Sequence, residues 1–270
     1  KGWQYCSKST FKEAIKGEYF ALLNLIYDHI IELSLQNHQI DAEKYVEKRK
    51  ANNEKYQVSQ QLNTGLAIIN NQLFASNFSG KNKNIVEQLE QIIKKWEFTD
   101  IYQNSVKIQF QIHSCVRDIL LQKKDFKVLE NYLMESLTNF EQKKLFDKAN
   151  FQRKIVLLSW IINTLTKNRK FEKALQYAEK LHEALLSFDA LFYERYIWIY
   201  YQSQIINYSF LNKNKQVVEL LQKLKSNEKL KKQAFYHLFV YLNLATTYYS
   251  MNQLDEALNN LNKIINIDIY

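Results

Sequence analysis

Few residue pairs in this chain have a spacing suited to chemistry. Glu179 and His182 stand three apart, the separation at which one helix can present two ligands to a di-iron centre. Such a centre needs a second Glu-x-x-His and two further glutamates, and the sequence has no second Glu-x-x-His. His113 and Cys115 could join a zinc site, which takes three or four converging donors, yet the only other cysteine is Cys6. The better readings are an ordinary helix surface for Glu179 and His182 and an apolar helix face for Cys115. His29, His38 and His237 complete the histidines. There is no glycine-rich phosphate loop, no G-x-S-x-G and no H-E-x-x-H. No catalytic residue, metal or cofactor is therefore expected, and the chain is not read as an enzyme.

The elements that position these residues are helices. The chain has 270 residues, 46% of them hydrophobic, with 4 glycines and no proline. A core is easily supplied, and sheets rich in tight turns would need more glycine and proline. The two cysteines form no disulfide framework, which fits a reducing, cytoplasmic compartment. The longest apolar run, around Ile155–Ile162, falls far short of the roughly 20 residues that span a bilayer. A chain that starts at Lys1 reads as a piece of a longer protein. The net charge of +9 raises nucleic acid as a partner, with the strongest basic run between Lys213 and Lys232. Abundant Lys, Asn, Ile and Tyr also fit compositional bias, and a solvated helix face explains the run, so nucleic acid ranks low.

Apolar spacing predicts a helix through Phe11, Ile15, Tyr19, Leu22, Leu23 and Ile26. Asp41 is an N-cap candidate for a helix from Ala42 that Asn52-Asn53 interrupts. A loop is expected at 76–84 around Gly80. Further helices are expected at about 85–96, 100–122, 125–138, 149–167, 170–187, 190–211, 214–226, 229–250 and 254–266. Similar short polar connections recur, and Leu89, Leu129, Ala174, Leu220 and Ala257 emerge as equivalent positions spaced about 37 to 46 residues apart. The run from Phe192 to Phe210 carries too many aromatics for one stripe, so it must pack on two sides or offer anchors to a groove.

The stretch Tyr241-x2-Leu244-Ala245-x2-Tyr248, followed by Ala257 and Leu261, resembles the tetratricopeptide repeat (TPR). Leu158, Ile161, Leu165, Phe171, Ala174, Ala178 and Leu181 repeat the pattern, with Ile162 where the family has a small residue. The resemblance implies an all-α fold, a right-handed α-solenoid of antiparallel helix pairs. Residues 1–80 would form an irregular helical segment and 81–270 one continuous array. It also implies a concave surface lined by first helices, with Ser159, Asn163, Gln202, Asn243 and Thr246 pointing into it and binding a peptide or protein partner. Phe239 stands where the basic carboxylate clamp of chaperone-binding TPR proteins would have a lysine. The expected function is a protein-interaction scaffold. The alternative is the sensor domain of a larger bacterial signalling or transcription-regulating protein. Ile264, Ile265, Ile267 and Ile269 suggest that the C-terminal edge continues into further chain or packs on a second copy as a homodimer.

Overall fold

The computed structural model describes residues 8–75, 87, 90, 91, 93–95, 99–187, 190–227, 230–232 and 236–265. The expected loop at 76–84, Leu89, Cys6, Ile267 and Ile269 lie outside the described residues. Among the described residues all regular structure is helical. Contacts divide the chain into two compact units, Lys1–Arg153 and Lys154–Tyr270. No described helix is long and apolar enough to cross a membrane.

The first unit opens with α1 (Lys8–Lys16) and α2 (Phe20–Ser34). The predicted single helix through Tyr19 is broken here, because Glu18 takes a left-handed φ of 53°. The break moves the apolar face. Ala14, Phe20, Leu23 and Ile26 are buried, whereas Ile15, Tyr19 and Leu22 are exposed. Helix α3 (Ala42–Ala75) starts as expected, with the Lys44 N–H donating to Asp41 Oδ1 at 3.1 Å. It runs without interruption through Asn52-Asn53. Asn52 is no breaker: buried against α2, it donates to the Phe20 carbonyl at 2.8 Å and to Asn24 Oδ1 at 2.6 Å. The expected helix 100–122 is two, α4 (Asp100–Gln103) and α5 (Val106–Gln122), because Ser105 caps the second by accepting the Ile108 N–H. Helix α6 (Phe126–Gln142) follows, capped by Asp125. Val58, Leu62, Ile108, Ile112 and Cys115 form a core between α3 and α5.

Helix α7 (Phe151–Lys167) enters the second unit after its opening turn. That unit continues with α8 (Phe171–Leu186), α9 (Ala190–Phe210), α10 (Asn214–Lys225), α11 (Tyr236–Ser250) and α12 (Leu254–Ile265). From α8 onward each helix packs on the next. A 3₁₀ turn at Leu230–Lys232 precedes α11, so the expected helix 229–250 starts later.

One backbone device joins these helices. Lys124, Arg169, Asn212 and Asn252 all have φ between 55° and 60°. Two residues later the next helix begins, at Phe126, Phe171, Asn214 and Leu254. In each turn the residue after the left-handed one donates its N–H back to a carbonyl five positions earlier, as Lys170 does to Leu165 at 2.9 Å. The fifth residue beyond each left-handed position is Leu129, Ala174, Val217 or Ala257, all at most 5% exposed. The equivalent position in α10 is thus Val217. Leu220, three residues on, is only half-buried. At Ala257 the small side chain lets α11 and α12 pack closely, and Ala174 is fully buried in α8.

Candidate functional groove

Helix α9 has three working faces. Tyr200 stacks on His182 of α8, centroids 4.3 Å apart and planes 17° off parallel. Its hydroxyl donates to Glu179 Oε1 at 3.1 Å, and Gln204 Nε2 donates to the same oxygen at 2.5 Å. Burial and the Glu179 carboxylate both push the Tyr200 phenol above its usual pKa. Glu179 and His182 therefore fasten α8 to α9. On a second face Trp198 meets Phe239 edge-on at 4.8 Å and Tyr236 at 6.3 Å, both on α11. The aromatic run is packed on two sides, as its density requires.

The third face carries Ile199, Gln202, Ser203, Ile206, Asn207 and Phe210, spaced as one helical stripe. With α7 and the α7–α8 turn it bounds an open groove of about 940 Å³. The other wall is Ser159, Trp160, Ile162, Asn163, Thr166 and Lys167, and the turn adds Arg169 and Phe171. Thr166, near the end of α7, meets Asn207, near the end of α9, and Phe171, at the start of α8, meets Phe210. Thr166 Oγ1 donates to Asn207 Oδ1 at 2.9 Å, and Asn207 Nδ2 donates to the Ser203 carbonyl at 2.8 Å. This link closes the groove floor. Phe171 and Phe210 stack face to face at 4.9 Å and 8°, and Phe210 remains 60% exposed.

The expected binding residues separate into two groups. Ser159, Asn163 and Gln202 line this groove. The Ser159 hydroxyl is spent locally on the Val156 carbonyl at 2.6 Å. The side chains of Asn163 and Gln202, exposed on different walls, make no hydrogen bond to a described residue. Asn243 and Thr246 stand on α11, outside the groove, and bond back to their own helix at 2.7 and 3.0 Å. Sequence reasoning missed Lys167, Arg169 and the Phe171–Phe210 stack; the available signal was a basic helix end directly before an aromatic helix start.

The His113–Cys115 pair lies in the first unit. His113 Nδ1 pairs with the Tyr132 hydroxyl and lies 3.3 Å from Ser136 Oγ. Burial holds its pKa down at about 4. Cys115 is fully buried, and burial with the nearby Asp118 pushes its thiol up to about 12. A buried neutral imidazole held by Tyr132 and Ser136 and a buried un-ionised thiol are core groups. The basic run around α10 is likewise not one bare face: Lys213 lies over the Tyr208 ring at 5.8 Å and Lys225 over Tyr241 at 6.0 Å.

Comparison with known proteins gave no matching family model, no matching curated protein and no matching solved structure.

Proposed function

We propose that the second unit is a protein-interaction module that takes an extended peptide segment of a partner into the groove between α7 and α9. The observation that carries this reading is the pair Asn163 and Gln202, two uncommitted amides that line one open groove from different helices. An amide offers both a donor and an acceptor, which is what a peptide backbone in extended form needs from each side. The walls add Ile199, Ile206 and Ile162 as apolar footing for side chains. The recurring left-handed turns and the contact of α7 with α9 support a TPR-like array of helix pairs, read here as a right-handed superhelix in which this groove is a stretch of the concave face.

The test starts from panning a library of displayed random peptides on the immobilised chain. A selected peptide is then synthesised and its affinity measured by fluorescence anisotropy. Replacing both amides, Asn163→Ala with Gln202→Ala, removes two net hydrogen bonds worth about 1 kcal/mol each, so affinity should fall roughly tenfold to thirtyfold. Asn243→Ala with Thr246→Ala should leave it unchanged. Equal affinities for the first pair and the unmodified chain would refute the groove assignment.

A further inference from the structure

The groove's chemistry differs along its length, and the difference specifies what its occupant carries. At the end marked by the α7–α8 turn stand Lys167 and Arg169, both exposed. No Asp or Glu is among the described residues that line the groove. Arg169 forms no ion pair with a described residue. Two positive charges in a concave, partly apolar wall raise the local potential above that of the same charges on a flat surface, because low-dielectric walls concentrate the field. Arg169 further offers a planar fork of donors that matches a carboxylate. Beside these cations the outer face of Phe210 is open, while its inner face is already occupied by Phe171.

We infer that the groove selects an acidic peptide segment, one in which an Asp or Glu side chain stands next to a large apolar or aromatic side chain. The carboxylate sits at Lys167 and Arg169, the apolar side chain lies on Phe210, and the backbone upstream runs between Asn163 and Gln202. The inference rests on the peptide-groove reading above and narrows it to a class of partner. Charge complementarity excludes basic segments, which the two cations repel. The amides and the isoleucines of the walls favour a peptide over a nucleic-acid strand, since the described lining residues make no continuous track of cations such as a phosphate backbone requires.

The experiment pans short random displayed peptides on the full chain and on a Lys167→Gln, Arg169→Gln variant whose helix content is checked by circular dichroism. The unmodified chain should enrich peptides carrying Asp or Glu beside Phe, Tyr, Trp or Leu. The variant should lose the acidic preference while still enriching apolar peptides. A synthetic peptide from the first pool should bind the variant at least about tenfold more weakly, and its affinity for the unmodified chain should fall with added salt. Enriched peptides that depend on Asn163 and Gln202 yet carry no acid would overturn this inference and leave the groove reading standing. Enrichment indifferent to Asn163 and Gln202 would overturn both. Competition by a single-stranded oligonucleotide for the selected peptide would overturn the choice of a peptide partner.

Discussion

The link between Thr166 and Asn207 allows a sharp test of how the groove is held open. Asn207 is 1% exposed; it ties α9 to α7 by accepting from Thr166, and it donates to the Ser203 carbonyl of its own helix. Replacing it by Leu, which has the same branched skeleton with bulkier methyl ends, removes both bonds but leaves no stranded polar atom. The Thr166 hydroxyl still has the Ile162 carbonyl at 3.0 Å, and the Ser203 carbonyl keeps its helical partner. The cost should be about 1 kcal/mol. Replacing Thr166 by Val is harsher, because Asn207 Oδ1 then stays buried with no donor, at about 1–3 kcal/mol. The double variant should therefore be no less stable than Thr166→Val alone, with a coupling energy of about 1 kcal/mol. Urea unfolding of the four proteins, followed by far-UV circular dichroism, measures the cycle. Additive losses, or a Thr166→Val protein as stable as Asn207→Leu, would show that the bond does not carry the contact.

Two further outcomes follow from the turns and from the buried histidine. Lys124 is exposed and held at φ 56°, where a side chain costs about 1–2 kcal/mol relative to glycine. Lys124→Gly should stabilise the chain by about 0.5–1 kcal/mol after the entropy that glycine adds to the unfolded state, and Asn252→Gly should gain less because Asn tolerates this conformation; thermal melts would show either no gain or the reverse order if the argument is wrong. His113 has its folded pKa held down at about 4, so its contribution is fully present above the unfolded value near 6.5 and is lost as pH falls from there through about 4. At pH 4 unfolding should be easier by roughly 2–3 kcal/mol from this group, a slope that His113→Gln should remove; parallel pH–stability curves for the two proteins would refute it.

Helix periodicity made most of the second unit legible, since Leu158, Ile161, Leu165, Ala174, Ala178 and Leu181 form the buried stripes their spacing implies. The turns were harder to place because their usual marker is absent. Glycine normally occupies the left-handed position after a helix, but here Glu, Lys, Arg and Asn do. That explains why the predicted helix through Tyr19 ran across a turn at Glu18. Asn52 misled for a different reason. An asparagine in a helix signals a break only if its amide competes for its own backbone, and this one is committed to α2. Leu220 was misplaced because α10 offers Val217, Leu220, Leu221 and Leu224 in near succession, and only the turn geometry chooses among them.

The groove was partly legible for a reason that also sets its boundary. A repeating register identifies which helical positions face the same way, and Ser159, Asn163 and Gln202 follow from it directly. Register alone says nothing about which of those positions stay uncommitted, since that depends on neighbours. Ser159 and Thr246 satisfy themselves on their own helices, while the side chains of Asn163 and Gln202 stay exposed and uncommitted. Nor does backbone strain point to the site. Lys124 and Arg169 adopt the same left-handed conformation, yet only Arg169 stands beside a groove with a cation neighbour and an open aromatic face. The turn is a device for joining helices. What distinguishes Arg169 is that in this one turn the residue at the joint also reaches the end of a cleft, so that its charge can be used by whatever the cleft holds.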